Sequence, residues 1–245
     1  MIRLLLLAGT REGRDLAEGL RDDPAIHVIA SLAGATRAPR PMGVATRSGG
    51  FGGRQGFADY LAAENIDAVL DATHPFAARM SQRTFEVCTA LKVPLMQVLR
   101  PAWVPGPHDR WTQIDSEEEA AAHIPRGARV FVATGRQTLE RFGAMAGRRM
   151  IVRVIDTPDG RFPFADGRFL HGNPPFSVDD EMALFRALRI DWLVVKNAGG
   201  AASRSKLDAA RLLGVPVAMI RRPAQPLGRT VETVAAALDW ARTLA

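Results

Sequence analysis

The beginning of the chain constrains its fold more than any other stretch. Residues 2–7 (IRLLLL) form a short apolar run, which predicts a strand buried on both faces. The run ends at Ala8-Gly9-Thr10, and a helix is predicted to follow, with Leu16 and Leu20 on one face. This strand, turn and helix is typical of the first unit of a nucleotide-binding α/β domain. The free N–H groups of the helix N-terminus would then form a phosphate site.

The glycine pattern of this turn is incomplete. Gly9 and Gly13 are predicted to let a pyrophosphate approach the backbone, but Leu7 stands where the first glycine of a full Gly-x-Gly-x-x-Gly fingerprint would be. The first turn of any parallel sheet therefore stays open as an alternative.

Composition limits the class of protein. The chain has 245 residues, enough for one large domain or two small ones, and its single cysteine, Cys88, excludes an intrachain disulfide. No apolar run approaches the ~18 residues of a membrane span, so we expect no membrane association and a cytoplasmic location. The net charge of +6 comes from scattered arginines, which favours attraction of a small polyanion over nucleic-acid binding.

The second predicted strand, residues 26–31, indicates which dinucleotide would bind. In doubly wound folds an acidic residue after this strand selects NAD, whereas arginine accommodates the 2′-phosphate of NADP. The sequence offers Ser31, Arg37 and Arg40 there, and no carboxylate before Asp59. We therefore expect NADPH as the cofactor, with solvated loop arginines as the alternative. The glycine-rich loop 49–53 is predicted to approach a ligand closely or to move.

Another predicted strand, residues 66–72, runs into Thr73-His74-Pro75. His74 would thus lie at the carboxyl end of a parallel strand, where ligands bind in such sheets. The alternative is that His74 caps the following helix or bonds to a loop carbonyl.

The second half repeats the strand–turn–helix pattern after a proline-rich segment at residues 100–107. Strands are predicted at 129–133, 150–155, 192–197 and 215–220, a loop from 156 to 176, and a final helix at about 230–244. A capping-box pattern at residues 116–119 predicts a helix start at Ser116. The prediction is an α/β protein of two Rossmann-like parallel-sheet units with a cleft between them, divided into 1–98 and 99–245.

Several motifs together resemble one family, the precorrin-6A reductases of cobalamin biosynthesis. The resemblance rests on runs that cover nearly the whole chain in order: AGTREGR at 8–14, SLAG at 31–34, RSGGFGG at 47–53, DATHPFA at 71–77, ATGR at 133–136, KNAGG at 196–200, KLDAAR at 206–211 and RP at 222–223. The run DATHPFA is the most distinctive of them. Ala8 and Ala198 depart from the family pattern, which has glycine and serine there.

The resemblance implies an NADPH-dependent reduction of one double bond of the precorrin-6A macrocycle, which gives precorrin-6B, without a metal in the protein. It implies that the cofactor binds at four places. The pyrophosphate would lie at the turn formed by Gly9, Thr10, Arg11, Glu12 and Gly13, and the adenosine end at Ser31, Gly34 and Arg37. The glycine-rich loop would contribute Gly50 and Phe51, and the nicotinamide would lie next to Thr73 and His74. His74 is also a candidate proton donor, with water as the alternative. The polycarboxylate substrate is expected at Thr134, Gly135, Arg136, Lys196, Asn197 and Arg222.

Other functions remain as alternatives. The chain could be a non-catalytic NADP(H)-binding regulatory module, or the cobalt-precorrin-6A reductase of the anaerobic route. A short-chain dehydrogenase is excluded, because that family needs a Tyr-x-x-x-Lys pair and the one tyrosine, Tyr60, is followed by Glu64 four residues later. The sequence gives no indication of the oligomeric state.

Overall fold

The computed structural model describes residues 1–34, 41–156 and 160–245. The elements of the first part of the chain are β1 (Ile2–Leu7), α1 (Arg11–Leu20), β2 (Ile26–Leu32), β3 (Ala45–Ser48), α2 (Gly53–Ala63), β4 (Ala68–Asp71), α3 (Ala78–Leu91) and β5 (Leu95–Val98). The remaining elements are β6 (Trp111–Ile114), α4 (Ala120–His123), β7 (Arg129–Val132), a 3₁₀ helix (Leu139–Met145), β8 (Arg149–Val154), β9 (Gly167–His171), α5 (Val178–Leu188), β10 (Trp192–Lys196), α6 (Ser205–Leu213), β11 (Val217–Ile220), β12 (Thr230–Val231) and α7 (Val234–Arg242).

These elements form two units, each built on a six-stranded sheet. Unit 1 comprises Met1–Pro101 and Pro223–Ala245, and unit 2 comprises Ala102–Arg222. The strand order is β12-β5-β4-β1-β2-β3 in unit 1 and β6-β11-β10-β7-β8-β9 in unit 2. Within the described residues every strand pairing is parallel, which confirms the predicted α/β class.

The core of unit 1 follows from the unbroken leucine run of β1. Side chains alternate between the two faces of a strand, so Leu4 and Leu6 enter one hydrophobic cluster while Leu5 and Leu7 enter the other. The first cluster includes buried residues of α1 and α7, and the second includes residues of α2 and α3. A central strand buried on both faces fixes the carboxyl ends of β1 and its neighbours as a rigid edge.

In unit 2 the inner strands β7, β8, β10 and β11 likewise contribute buried apolar side chains to the core. Phe131 and Ile151 share a cluster with Phe185 of α5 and Leu207 of α6. One face of the second sheet is therefore covered by α5 and α6.

The observed division differs from the predicted one, which placed residues 99–245 in the second domain. The chain returns to unit 1 at Pro223, because β12 pairs with β5 and the apolar face of α7 packs against α1. Ala237, Trp240 and Ala241 lie in the same cluster as Leu16. The C-terminal segment thus completes the first sheet rather than the second.

Three local predictions are also corrected, and one strand after the proline-rich region was not predicted. The predicted loop 156–176 contains β9, the proline-rich region is followed by β6, and the first two residues of the predicted final helix form β12. The pattern at Ser116 does not start a helix, since α4 begins at Ala120 without a side-chain cap. A functional capping box occurs instead at Ser177 and Asp180, at the start of α5. In the described ranges, no helix has the length and apolarity needed to cross a membrane.

Candidate functional site

The turn after β1 lies at the carboxyl edge of the first sheet. Thr10 is the N-cap of α1: its Oγ1 accepts a hydrogen bond from the Gly13 N–H at 3.1 Å and donates one to the Ala72 carbonyl at 2.7 Å. The turn is thereby tied to the residue after β4. Gly9 is exposed with a φ of 135°, and a Cβ there would meet no atom within 4 Å. This backbone is open to a ligand.

Gly13 has a packing role that the sequence did not indicate. It is buried, and a Cβ at this position would lie 3.1 Å from both the Cα and the Cβ of Ala8. Gly13 therefore allows α1 to pack closely against the end of β1, and does not itself face the open side of the turn. The Arg11 side chain is exposed and forms an ion pair with Asp15 at 3.5 Å.

Glu12 is partnered by a residue that the sequence did not single out. Its carboxylate forms an ion pair of 2.8 Å with Arg100, and both side chains are largely shielded from solvent. Burial lowers the pKa of Arg100, and the charge of Glu12 opposes that change. The pair neutralises a carboxylate that would otherwise repel an anion at the helix N-terminus.

Arg47 organises the adenosine end of the predicted site. It lies beside Ser31 in the register of β2 and β3, and its Nη1 donates to Ser31 Oγ at 2.7 Å and to the Gly49 carbonyl at 3.0 Å. Its Nη2 donates to the Gly50 carbonyl at 3.1 Å, and its Cζ lies 4.0 Å from the centroid of the Phe51 ring. One arginine therefore joins Ser31 to the glycine-rich loop.

The other residues predicted here differ in their surroundings. Phe51 is buried, and its ring packs edge-on against Phe57 and Tyr60, so it belongs to the core of unit 1. Gly34 is exposed next to Gly49, with a φ of 75°. Arg37 and Arg40 lie outside the described residues.

Thr73 and His74 follow β4 at the same edge. The buried carboxylate of Asp71 accepts hydrogen bonds from the Thr73 N–H at 3.0 Å and from its hydroxyl at 2.7 Å. His74 Nδ1 accepts a bond from the Phe76 N–H at 3.2 Å, which assigns Nδ1 as the unprotonated nitrogen. This bond is local, but it does not cap α3, whose N-cap Ala77 has no side-chain hydrogen bond.

The returning C-terminal segment reinforces this edge. The Gln225 side-chain amide donates to the Pro75 carbonyl, and its oxygen accepts from Gln97 Nε2 at 3.0 Å. A residue distant in sequence thus holds the loop that carries His74.

In unit 2, Thr134, Gly135 and Arg136 follow β7 at the carboxyl edge of the second sheet. Gly135 has a φ of 75° and open space where a Cβ would be, and Arg136 is exposed. Lys196, at the end of neighbouring β10, is less available: its Nζ lies 3.3 Å from the buried carboxylate of Glu117 and donates to Thr138 Oγ1 at 3.0 Å.

Asn197 and Arg222 hold backbone segments at this edge. The Asn197 amide is buried and makes two hydrogen bonds to Trp103: its Oδ1 accepts from the Trp103 N–H at 2.8 Å, and its Nδ2 donates to the Trp103 carbonyl at 2.9 Å. The Arg222 guanidinium donates to the carbonyls of Asn197 and Ala198 at 2.8 and 2.9 Å. Both side chains are thus committed to the local structure.

A buried charge cluster beneath this edge was not predicted. Arg153 on β8 and Glu181 on α5 form two parallel hydrogen bonds of 2.7 and 2.6 Å. The Arg153 guanidinium lies against the rings of Phe131 and Phe176. Burial lowers the pKa of nearby Lys206 to about 8, which Glu181 opposes and Arg153 reinforces. The signal available in the sequence was Arg153, an arginine that follows three apolar residues inside β8.

The comparisons with known proteins agree with one another. The family model described as "Precorrin-6x reductase CbiJ/CobK" matches residues 3–242. A precorrin-6A reductase from Rhodococcus erythropolis is 43% identical, over 100% of this chain and 99% of that protein. A cobalt-precorrin-6A reductase from Priestia megaterium is 24% identical, over 94% of each. The solved structure titled "CobK precorrin-6A reductase" has 40% identity and a TM-score of 0.94, covering 99% of this chain and 97% of that one.

The match to the family model spans nearly the whole chain, and it includes the turn after β1, the glycine-rich loop, Thr73–His74 and the carboxyl edge of the second sheet. The chain therefore belongs to the CbiJ/CobK family of precorrin-6x reductases.

Proposed function

We propose that the chain is a precorrin-6A reductase, which reduces one double bond of precorrin-6A to give precorrin-6B in cobalamin biosynthesis and uses NADPH. The observation that carries this proposal is the similarity over the full length to a precorrin-6A reductase. The cobalt-precorrin-6A reductase is far less similar. This difference favours the metal-free macrocycle as substrate.

The pyrophosphate of the cofactor is assigned to the turn after β1. Gly9 supplies exposed backbone there, and the first turn of α1 supplies N–H groups at its N-terminus. Because Thr10 is bonded to Ala72, the turn is held in place before the cofactor arrives. Glu12 is assigned a structural role through Arg100, and Gly13 a packing role.

Selection of NADPH over NADH is assigned to Arg47 beside Ser31. The ribose of the adenosine lies at the end of the second strand in doubly wound folds, and a guanidinium there suits a 2′-phosphate. Arg47 is already oriented by Ser31 and by two loop carbonyls, so binding requires little further ordering. Arg37 is retained as a second candidate from the sequence.

The nicotinamide is assigned to the end of β4, next to Thr73 and His74. The reduced nicotinamide supplies a hydride when it is bound, and the role of this chain is to orient it and to exclude water. The proton that completes the reduction comes from His74 Nε2 or from solvent. The Nδ1 contact with the Phe76 N–H fixes the orientation of the imidazole, and donation from Nε2 requires that Nδ1 first takes up a proton in place of that contact.

The substrate is assigned to the carboxyl edge of unit 2. Gly135 offers open backbone and Arg136 an exposed guanidinium, which pairs well with the planar carboxylates of the macrocycle. A carboxylate of the substrate would compete with Glu117 for the ammonium group of Lys196. Asn197 and Arg222 are proposed to shape this edge, since their polar atoms bind Trp103 and the carbonyls that follow β10.

The test of the cofactor proposal is a titration of the protein with NADPH and with NADH, followed by fluorescence. We expect tighter binding of NADPH, and in Arg47→Ala an approximately tenfold or larger loss for NADPH with little change for NADH. If the substitution instead disrupts the glycine-rich loop, the affinities for NADPH and NADH should both fall. Arg21→Ala, which removes an exposed arginine paired with Asp22, is the matched control. Equal affinity of the wild type for both dinucleotides contradicts the assignment.

A non-catalytic NADP(H)-binding module is the second candidate, and it predicts binding of NADPH without oxidation by any tetrapyrrole. The cytoplasmic location stays a prediction from the composition.

A further inference from the structure

A cavity of about 530 Å³ lies in unit 2 and is lined by Arg129, Arg149, Ile151, Gly167, Arg168, Ala187, Leu188 and Arg189. Arg129 and Arg149 are the first residues of β7 and β8, so the cavity is at the amino edge of the second sheet. The proposed substrate residues follow the carboxyl ends of the strands. We call this cavity with its four arginines the arginine pocket.

The strand register places three of the four arginines on one face of the sheet. Arg129 pairs with Arg149, and Ile151, two residues further along β8, pairs with Arg168 of β9. Paired residues of parallel strands point to the same face, and residues i and i+2 do so too, hence these side chains share one face. This is the face that α5 covers, as Ile151 and Phe185 belong to one cluster. Arg189 follows the end of α5 and completes the pocket.

The four charges have no acidic partners in the described part of the chain. Other arginines of this protein pair closely with carboxylates, such as Arg141 with Glu118 and Arg221 with Asp115. The nearby carboxylate of Asp191 accepts a hydrogen bond from the Arg129 backbone N–H. The carboxyl end of α5 carries only about half a negative charge, which cannot balance four guanidinium groups.

Like charges that line one pocket without a counter-charge repel one another, although water weakens this repulsion at Arg149, Arg168 and Arg189, which are exposed. An anion in the pocket would reduce the repulsion. Guanidinium groups bind phosphate and carboxylate through paired hydrogen bonds. The cavity volume is in the range of sites for small molecules. We propose that the arginine pocket binds a small multivalent oxyanion, either a phosphate chain or a cluster of carboxylates, separately from the reaction assigned above.

The proposal is tested by calorimetric titration of the full-length protein, at low ionic strength, with pyrophosphate in one arm and citrate in the other. We expect saturable binding of at least one probe, and the stronger arm identifies phosphate or carboxylate chemistry. A titration in the presence of NADPH excludes binding of the probe at the cofactor turn.

Variants locate the site. Arg149→Ala combined with Arg168→Ala should weaken binding about tenfold or more, whereas Arg110→Ala combined with Arg186→Ala removes the same number of charges outside the pocket and should preserve it. Ala187→Glu places a carboxylate at the exposed rim without removing any arginine, and should also abolish binding. Absence of saturable binding in the wild type, or binding that survives both pocket variants, overturns the proposal.

Discussion

Replacement of Asn197 by alanine separates the structural role that its contacts indicate from the substrate-binding role that the sequence predicted. The side chain is 7% exposed, and its amide satisfies both backbone polar groups of Trp103. In Asn197→Ala these groups stay buried without a partner. The variant should therefore be less stable, whether or not substrate is present.

The magnitude follows from the two lost hydrogen bonds. Leaving a buried donor or acceptor unpaired costs about 1–3 kcal/mol. Two such groups, relieved in part by a water entering the vacated space, give a loss of about 2–4 kcal/mol. For a chain of this size, that loss corresponds to a Tm about 4–16 °C lower.

Thermal unfolding followed by circular dichroism and by tryptophan emission measures the effect, because Trp103 is itself buried. Asn197→Asp keeps one acceptor for the Trp103 N–H but turns an oxygen toward its carbonyl, so it should be destabilised as well. Gln137→Ala removes an exposed amide and is the control. If Asn197→Ala unfolds at the wild-type temperature and instead raises KM for precorrin-6A, the structural assignment is refuted.

Three further predictions rest on packing and burial. In Gly13→Ala the free energy of unfolding, measured with urea, should fall by about 1–3 kcal/mol, because the new Cβ would lie 3.1 Å from Ala8. If the variant is as stable as the wild type, the turn adapts to the added methyl group and this reasoning is wrong. Glu181→Ala should lower the free energy of unfolding by about 3–5 kcal/mol, because Arg153 stays buried without its partner. The double variant Arg153→Met with Glu181→Leu should recover most of that loss. If the single and the double variant are equally destabilised, the loss does not come from an unpaired buried charge. Burial raises the pKa of the Cys88 thiol to about 12, so at about pH 8 a disulfide reagent should label it only after denaturation, and rapid labelling of the folded protein would contradict this.

The sequence predicted the parts of the fold that consist of continuous apolar runs. The strands at the centre of each sheet, such as β1, are buried on both faces and therefore consist mainly of apolar residues. The strands that were missed, β6, β9 and β12, lie at sheet edges and carry polar residues such as Thr112 and Arg168, which makes them similar to loops in sequence. The place of α7 was decided by packing against α1, which no local pattern indicates.

For the candidate site, the sequence indicated which segments meet at each carboxyl edge but not the partners of their charged groups. Glu12 is matched by Arg100 and Lys196 by Glu117, and both partners lie far away along the chain. The sequence shows which charged residues follow a strand. It does not show whether another residue forms an ion pair with them, because that depends on the tertiary structure. The structural contacts of Asn197 were not readable for the same reason, because its partner Trp103 lies in the proline-rich segment.

The most direct test of the proposed function is to incubate the purified protein with precorrin-6A and NADPH and to measure both nicotinamide absorbance and product mass. We predict loss of one NADPH per macrocycle and a product heavier by two hydrogens, with NADH a poorer donor. If NADPH and precorrin-6A both bind but no NADPH is oxidised, the chain is a binding module and its assignment as a reductase is contradicted.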